Sequence, residues 1–310
     1  MVFNSGCLLS KNATYKMMLM RTLLKYPIII MIVTLIVVMV SSPLVAQGPW
    51  SPGKGHGYAQ LLYNTVPAYT TIFAGDQGNR ALERQLTETD VILYSEFGIS
   101  QKLTLGTTIP LISVSSGIAN PQLESEPTLP AGDLTSLGNI SLQGKYNLLN
   151  KTWNVSFITQ LDLPTSSRTL ESGLSTGVDA FTFQPKISAG KSSVNGFFYG
   201  FLGYGIRTNN HNDFVNFGVE AGFNAGEKFS LIINVNRWQN LDNGDPSVDS
   251  PQNIITGFYT SFQEYTGYLL KLFFKDIYKG FGGFASLGGG GGANSVASSP
   301  ALSLGVFYKW

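Results

Sequence analysis

The sequence predicts an all-β protein: an antiparallel transmembrane β-barrel of about twelve strands, with short periplasmic turns and long extracellular loops. Three observations lead to this prediction. Residues after 47 form repeated runs in which apolar and polar side chains alternate. The gaps between these runs are short and long in turn. The composition is 43% hydrophobic, 12% aromatic and only 13% charged, and the charged share is about half that of an ordinary soluble domain.

The first 46 residues predict a secretory signal. They carry no acidic residue, and four basic residues precede the apolar run PIIIMIVTLIVVMV at 27–40: Lys11, Lys16, Arg21 and Lys25. A basic lead, an apolar run of 14 residues and a small-residue exit are typical of a cleaved signal. A membrane anchor is the alternative, but a spanning helix needs ~20 apolar residues. We predict cleavage after Ala46, with the barrel at 47–310. Three methionines are alternative starts: Met17, Met18 and Met20.

The one cysteine, Cys7, lies within this predicted signal. The mature chain is therefore not expected to form a disulfide bond, and a closed sheet in lipid is expected to supply its stability. The formal net charge of +1 gives no indication of a nucleic-acid partner.

Twelve strands are predicted, and each is justified by its own alternation and by the turn residues that bound it. In chain order they are 57–66, 86–97, 102–114, 137–148, 152–164, 180–191, 196–208, 213–223, 228–240, 262–274, 279–288 and 301–310. An even number of strands places both ends of the barrel on the side of the short turns.

The fifth predicted strand, TWNVSFITQLDLP, shows the alternation most clearly. Its apolar face consists of Trp153, Val155, Phe157, Thr159, Leu161 and Leu163. The other face consists of Asn154, Ser156, Ile158, Gln160 and Asp162. The fourth, eighth and ninth strands repeat this pattern. The seventh, GFFYGFLGYGIRT, is apolar on both faces, so an aromatic side chain must point inward: Phe197, Tyr199 or Phe201.

The connections between the strands differ in length in a regular way. Five are short: GISQ, LNK, SSVN, NAGEK and KDIY. Five are predicted to be long loops: 67–85, 117–133, 165–179, the stretch from 241, and the glycine-rich stretch from 288 to 300. Only NNHND at 209–213 departs from this alternation. Short turns on one side and long loops on the other are typical of a bacterial outer-membrane barrel.

A soluble β-sandwich is the alternative fold, since its strands alternate too. Its loops are not sorted by length so regularly, and the signal and the aromatic content favour lipid. Aromatic residues near the strand ends suit girdles at the two membrane interfaces. They are Tyr58, Tyr63, Tyr94, Phe97, Trp153, Phe181, Phe223, Phe229, Trp238, Phe274, Tyr308 and Trp310.

The last stretch, SPALSLGVFYKW, predicts a strand up to the final residue. Its alternating apolar residues are Leu302, Leu304, Val306, Tyr308 and Trp310. No strand edge can stay unpaired in lipid, so this strand is expected to close against the first. The segment also resembles the terminal sorting signal of outer-membrane barrels. That resemblance implies two partners, the barrel-assembly machinery and outer-membrane lipid.

Three motifs carry a more specific resemblance. ILYSEFGISQKLTLGTTIPLI (92–112) contains Glu96, Phe97 and Gly98, an LTLG strand, and Pro110. LTSLGNISLQGKYNLL has Gly138-Asn139, and LDLPTSS has Pro164-Thr165. Together they resemble a barrel family connected with the meta-pathway of phenol degradation, whose members are described as transporters. In that family, Gly-Asp is usual where Gly138-Asn139 stands, and Pro-Thr-Gly where Ser166 replaces the glycine. The resemblance implies a channel for small, hydrophobic or aromatic compounds.

Residues for catalysis or metal binding are few. His56 and His211 are the two histidines, and His211 with Asp213 is the one candidate for a hydrolase site. Turn composition explains that pair better, so we predict no enzymatic activity and no cofactor. The acidic stretch LDNGDPSVDSPQN lacks EF-hand spacing and is read as a solvated loop. GGGGG at 288–292 precedes no helix, and we predict a flexible loop rather than a phosphate site.

The polar face of the strands defines the predicted lumen. Its candidate residues are Glu88, Asp90, Glu96, Gln143, Lys145, Gln160, Asp162, Lys186, Glu220, Asn234 and Asn236. These side chains either fill the lumen with ion pairs or contact a solute. A carboxylate away from bulk water needs a partner, so Glu96 is expected to pair with a lysine near the periplasmic end. The candidates are Lys102, Lys145 and Lys186.

The sequence thus predicts an outer-membrane channel or transporter of a Gram-negative bacterium for an unidentified small solute. A non-transporting structural or adhesive barrel is the alternative, and an outer-membrane hydrolase is a third hypothesis. No feature of the sequence identifies the solute.

Overall fold

The computed structural model describes residues 48–310. The predicted signal at 1–46 and its cleavage site lie outside these residues and stay predictions. Among the described residues, no helix is long and apolar enough to cross a membrane.

Twelve antiparallel strands form a closed barrel, which confirms the predicted fold class and strand count. The first six are β1 (Gly57–Ala74), β2 (Asn79–Gly98), β3 (Leu103–Ala119), β4 (in two segments, Gly132–Leu137 and Ile140–Asn150), β5 (Asn154–Leu163) and β6 (Thr182–Ser193). The other six are β7 (Gly196–Arg207), β8 (Phe214–Ala225), β9 (Phe229–Asn240), β10 (Glu264–Tyr278), β11 (Phe281–Ala297) and β12 (Ala301–Lys309). Each strand pairs with the next along the chain.

The barrel closes between its first and last strands, as the terminal pattern predicts. β12 pairs with β1 from Tyr58 opposite Lys309 to Thr65 opposite Leu302. Gly57 and Trp310 then exchange two backbone hydrogen bonds of 3.2 Å each. The alternating apolar side chains of β12 are exposed on the outer face. The sheet therefore has no free edge along this seam, which is the condition that lipid imposes.

The strands alternate between an outer apolar face and an interior face. In β5, Phe157 is 43% exposed, whereas its neighbour Ile158 is fully buried. This difference follows from the two-residue period of a strand, which sends successive side chains to opposite faces. β7 has aromatic residues on the inner face: Phe197, Tyr199 and Phe201.

The predicted long loop at 67–85 is wrong, because β1 and β2 continue through it and end in a 3₁₀ turn at Gly75–Gln77. Pro67 interrupts the alternation and stands at a register shift between Val66 and Tyr69, where strands tolerate proline. The extension is stabilised by an apolar cluster that includes Val66, Tyr69 and Leu86, together with Phe258 from a distant loop.

The predicted flexible loop at 288–292 is also wrong. The five glycines belong to β11, and Gly288 to Gly291 pair with Leu269 to Thr266 of β10. A glycine run gives no alternation of side chains, yet its backbone can still pair with a neighbouring strand. Pairing satisfies its N–H and C=O groups, so the sheet extends through it.

Three predicted girdle aromatics point into the barrel instead. Tyr94 is 3% exposed, Tyr58 stacks on buried Phe307, and Trp238 stacks on buried Phe214. Their position near strand ends is compatible with either face, and the parity of their strands places them inside. Trp153, Phe223 and Phe229 are exposed on the outer face.

The long connections gather at one end of the barrel, which also carries the tight turns at 75–78 and 298–300, and every connection at the other end is short. The long-loop end holds 120–131, 164–181 with a two-strand hairpin (Arg168–Thr169 and Leu174–Ser175), and 241–263. The last of these contains a 3₁₀ turn at Pro246–Val248 and one α-helical segment, Pro251–Thr256. The short-turn end carries residue 48 onward and Trp310. It corresponds to the periplasmic side of outer-membrane barrels.

Candidate functional site

The barrel interior is the candidate site, and the predicted lumen residues lie within it. Eight of them are the polar residues Asp90, Gln143, Lys145, Gln160, Asp162, Lys186, Asn234 and Asn236. Three are glutamates: Glu88, Glu96 and Glu220. Contact of any of these side chains with a solute stays a prediction.

Glu96 forms the ion pair expected for it. Its Oε2 accepts from Lys145 Nζ at 3.1 Å and from Tyr94 Oη at 3.0 Å. Glu96 is on β2 and Lys145 on β4, so the pair reaches across β3. Gly106 of β3, the glycine of the LTLG motif, stands opposite Glu96, and a side chain there would press on Gln143 and on the Ser95 carbonyl.

Lys145 also holds a segment that the sequence pattern did not reveal. Residues 48–52, the N-terminal segment, enter the barrel before β1 begins. Lys145 Nζ donates to the carbonyls of Gly48 at 3.3 Å and Trp50 at 2.8 Å. The carbonyl of Pro49 accepts from Ser156 Oγ at 2.6 Å and from Asn147 Nδ2 at 3.0 Å. Ser51 Oγ adds a side-chain hydrogen bond to Thr104 Oγ1 at 2.8 Å. Since the other anchors contact backbone carbonyls, the sequence of the segment carries little signal beyond Trp50 and Ser51.

Trp50 packs edge-on against two inward aromatics of β7. Its ring centroid is 5.5 Å from that of Phe197 and 5.6 Å from that of Tyr199. Edge-to-face contacts of this kind add specific attraction to apolar burial. The N-terminal segment thus fills one side of the lumen at the short-turn end.

A cavity of about 310 Å³ lies toward the long-loop end, and we call it the upper chamber. Its wall carries the carboxylates of Glu88, Asp90 and Asp162. Asp90 accepts from Asn64 Nδ2 at 2.9 Å, and Asp162 accepts from Ser141 Oγ and from Gln160 Nε2 at 2.7 Å. These donors are neutral, and Asp90 Oδ1 has no hydrogen-bond partner among the described residues, so the chamber keeps an acidic character.

The loop at 241–263 folds inward over the upper chamber. Tyr259 Oη donates to Glu88 Oε1 at 2.8 Å, and Phe258 is buried in the apolar cluster of β1 and β2. Thr256 Oγ1 donates to the carbonyl of Gly173 at 2.6 Å, which joins this loop to 164–181. The long-loop end is therefore covered by ordered chain. Two acidic residues of this loop accept from its backbone, Asp245 from the Ser247 amide and Asp249 from the Ser261 amide.

A second cavity, of about 690 Å³, lies at the short-turn end, and we call it the lower chamber. Tyr58 of β1 and Phe273 of β10 line it and belong to a row of inward aromatic rings that residues of β11 and β12 complete. Centroids are 5.5 Å apart from Tyr58 to Phe307, 4.5 Å from Phe307 to Phe273, and 6.0 Å from Phe273 to Phe284. Gln60 lines both chambers, so the two cavities are adjacent along β1.

Three lysines border the lower chamber: Lys271, Lys275 and Lys309. Lys309 Nζ lies 5.5 Å from the ring centroid of Phe307, and Lys271 Nζ lies 4.4 Å from that of Phe284. Lys275 Nζ donates to Asn224 Oδ1 at 2.6 Å. Two of these ammonium groups thus rest on the faces or edges of aromatic rings, where the ring quadrupole attracts cations.

The motif residues Gly138, Asn139 and Thr165 form one network at the break in β4. Asn139 Nδ2 donates to the carbonyls of Leu163 and Val178, at 2.9 and 2.8 Å, while its Oδ1 accepts from the Val178 amide at 2.8 Å. Thr165 Oγ1 donates to the Gly138 carbonyl at 2.5 Å. Asparagine suits this position because it donates and accepts at once, which an ionised aspartate cannot do.

The candidate hydrolase pair is not formed. Asp213 accepts from the Arg207 amide at 2.9 Å and from Asn243 Nδ2 at 2.9 Å. His211 is 6% exposed, and its Nδ1 has no hydrogen-bond partner among the described residues. Within residues 48–310, no group of three or more histidine, cysteine, aspartate or glutamate side chains could hold a metal ion.

His211 makes the long-loop end sensitive to acid. Burial, together with the positive charges of Arg207 and Arg168, lowers the pKa of His211 to about 4, from ~6.5 in an exposed histidine. As the pH falls, His211 is therefore protonated at a higher pH when the loop is open and the imidazole is exposed than when the loop is closed over it. We expect the closed loop to lose stability between about pH 6.5 and 4, seen as faster hydrogen exchange at the Asn212 and Asp213 amides after correction for intrinsic rates.

The control for this prediction is His211→Gln, which cannot titrate. Asp249, whose pKa burial raises, titrates in both proteins, so their difference isolates His211. The same acid response in both proteins would contradict the assignment.

The chain resembles known proteins in family and in fold. The family model described as "Putative MetA-pathway of phenol degradation" matches residues 77–262, more than half of the chain. An outer-membrane channel from Pseudomonas putida F1 has a similar structure, with a TM-score of 0.62 and 14% sequence identity over 86% of this chain and 100% of that chain. At this identity the likeness concerns the fold alone.

Two further solved structures are less similar. The CymD monoaromatic hydrocarbon channel has a TM-score of 0.44 and 11% identity over 87% of this chain and 94% of its own. A KdgM porin in complex with disordered oligogalacturonate has a TM-score of 0.46 and 5% identity over 82% of this chain and 99% of its own. TM-scores in this range are too low to support a conclusion about function. No curated protein sequence matches the chain.

Proposed function

Because the chain belongs to the family described as "Putative MetA-pathway of phenol degradation", we propose that it is an outer-membrane channel for small, hydrophobic or aromatic compounds. One observation carries this proposal: the interior is not packed solid but holds two adjacent chambers, of about 310 and 690 Å³. Both are lined by aromatic and polar side chains together, the composition typical of small-molecule sites.

The surroundings of the protein follow from the same proposal. Its exposed apolar outer face suits lipid, and its terminal strand suits the barrel-assembly machinery of a Gram-negative bacterium. Passage from one chamber to the other runs beside Gln60, which lines both. The loop at 241–263 covers the outer entrance, so we expect small conductance steps in the resting channel.

The test is single-channel recording in planar bilayers with purified protein. Resolved current steps, together with liposome uptake of a small aromatic compound, would support the channel. Absence of both would favour the non-transporting barrel. Hydrolysis of lipid or peptide that His211→Ala abolishes would favour the hydrolase.

A variant of Trp50 is expected to change the single-channel conductance in a known direction. Trp50→Ala removes the indole that occupies the lumen beside Phe197 and Tyr199, so we expect a larger single-channel conductance than in the unmodified protein. The matched control is Trp153→Ala. Trp153 makes a similar edge contact with Phe198 at 5.5 Å, but on the outer face, where it is 47% exposed. Equal conductance of both variants would show that the N-terminal segment does not limit the path.

A further inference from the structure

The lower chamber combines apolar rings with positive charge, and this combination restricts what it can hold. Resting on the proposed channel function, we propose that the lower chamber is a binding site for small aromatic carboxylates. Its volume of about 690 Å³ falls within the ~300–1,000 Å³ of known small-molecule sites.

The apolar part of the site consists of two aromatic surfaces. On one side Tyr58 and Phe273 line the chamber, and Phe307 lies between them in a stack whose neighbouring planes are inclined by 27° and 13°. The other side presents Trp50 and Phe197. A flat aryl ring can stack or pack edge-on against such surfaces, and each well-oriented ring pair adds attraction beyond its buried area. An aliphatic ring of equal size lacks that contribution.

The charged part of the site is positive. Lys271, Lys275 and Lys309 border the chamber, while Glu96 is already neutralised by its ion pair with Lys145. Glu220 is the remaining acid of the lining, and Asn234 Nδ2 donates to it at 3.3 Å. Glu220 and Lys271 attract each other, so Lys275 and Lys309 remain as the excess charges among the side chains of the lining, and the balance favours an anionic ligand.

The position of the charge selects the class of anion. The Lys309 and Lys271 ammonium groups lie 5.5 and 4.4 Å from ring centroids of the aromatic row. A carboxylate joined directly to an aryl ring can meet an ammonium while the ring lies against that row. A neutral phenol forms no charge-assisted hydrogen bond with lysine. Phosphate, conversely, can pair with lysine but has no ring that packs against the aromatic side chains.

The experiment measures binding to the whole detergent-solubilised barrel by isothermal titration calorimetry at neutral pH. The probes are benzoate, phenol, cyclohexanecarboxylate and inorganic phosphate. We expect benzoate to bind at least tenfold more tightly than each of the other three. Lys309→Met and Lys271→Met should each weaken benzoate binding by roughly tenfold, the scale of one charge-assisted hydrogen bond. Phe273→Leu, which changes a ring of the chamber wall, should weaken benzoate more than cyclohexanecarboxylate.

Lys228→Met is the matched control, because Lys228 lies in an exposed turn at the same end of the barrel; its benzoate affinity should not change. Folding of every variant is checked by heat-modifiable gel mobility. If the substitution of Lys309 in β12 impairs assembly, Lys271→Met in β10 tests the site in its place. Equal binding of phenol or phosphate, or lysine variants without effect, would overturn the site. Benzoate binding without any channel current would instead overturn the channel function and leave the site intact.

Discussion

Replacing Lys145 with methionine is expected to destabilise the barrel by about 3–5 kcal/mol, the usual cost of removing one partner of a buried ion pair. Lys145 is 3% exposed and bonds to Glu96 and to the carbonyls of Gly48 and Trp50. The variant leaves the Glu96 carboxylate with Tyr94 as its hydrogen-bond donor and releases two carbonyls of the N-terminal segment. Urea unfolding in liposomes measures the loss.

Companion variants separate the ion pair from the anchoring of the segment. Glu96→Gln keeps both carbonyl contacts of Lys145, so its loss of stability should be smaller, and solute flux should stay largely intact. The double variant should recover part of the loss seen in Lys145→Met, because no buried carboxylate is left uncompensated. Lys151→Met, in an exposed turn, is the control and should leave stability unchanged. A Lys145→Met protein as stable as this control would refute the anchoring role.

Side-chain alternation made most of the barrel predictable. In β5, a lipid face and a lumen face impose opposite chemistry on adjacent residues, and this shows directly as Phe157 beside Ser156. Facing follows from parity alone, even where an inward residue is apolar, as with Ile158. Strand number and closure follow in turn, because a sheet in lipid cannot end in an unpaired edge.

Backbone pairing without a side-chain pattern escaped prediction. The glycines of β11 have no side chains to alternate, and Pro67 breaks the alternation of β1 at a register shift. Both stretches are held by contacts distant in the sequence, such as Phe258 packing against the extended hairpin. No local signal marks such contacts.

The site was only partly predictable for a similar reason. Parity placed Lys145, Asn147 and Ser156 inside the barrel, but it could not say that all three bind the N-terminal segment through its carbonyls. The aromatic row requires the closed ring of strands, since Tyr58 and Phe307 are far apart in the sequence and meet only at the seam between β1 and β12. A sequence pattern predicts on which face of the strand a residue lies, but not which residue it contacts there.

The facing of β9 leads to the second large effect. Ile233 lies in the middle of the strand and is 41% exposed on the outer face. An arginine at the bilayer midplane costs ~2–4 kcal/mol, so Ile233→Arg is expected to lower the free energy of unfolding in liposomes by about that amount. The depth of the residue sets the size of the loss, because the cost falls toward the interfaces.

Asn234→Arg is the matched control, at the same depth but on the opposite face. Asn234 is 7% exposed inside the barrel, and its amide already donates to Glu220 Oε2. The new guanidinium would meet that carboxylate rather than hydrocarbon, so the loss should be well below that of Ile233→Arg. The two variants carry the same added charge on neighbouring residues, and only the face differs. Equal destabilisation would therefore mean that β9 does not separate lipid from lumen, and with it the assignment of every inward residue in this barrel would fail.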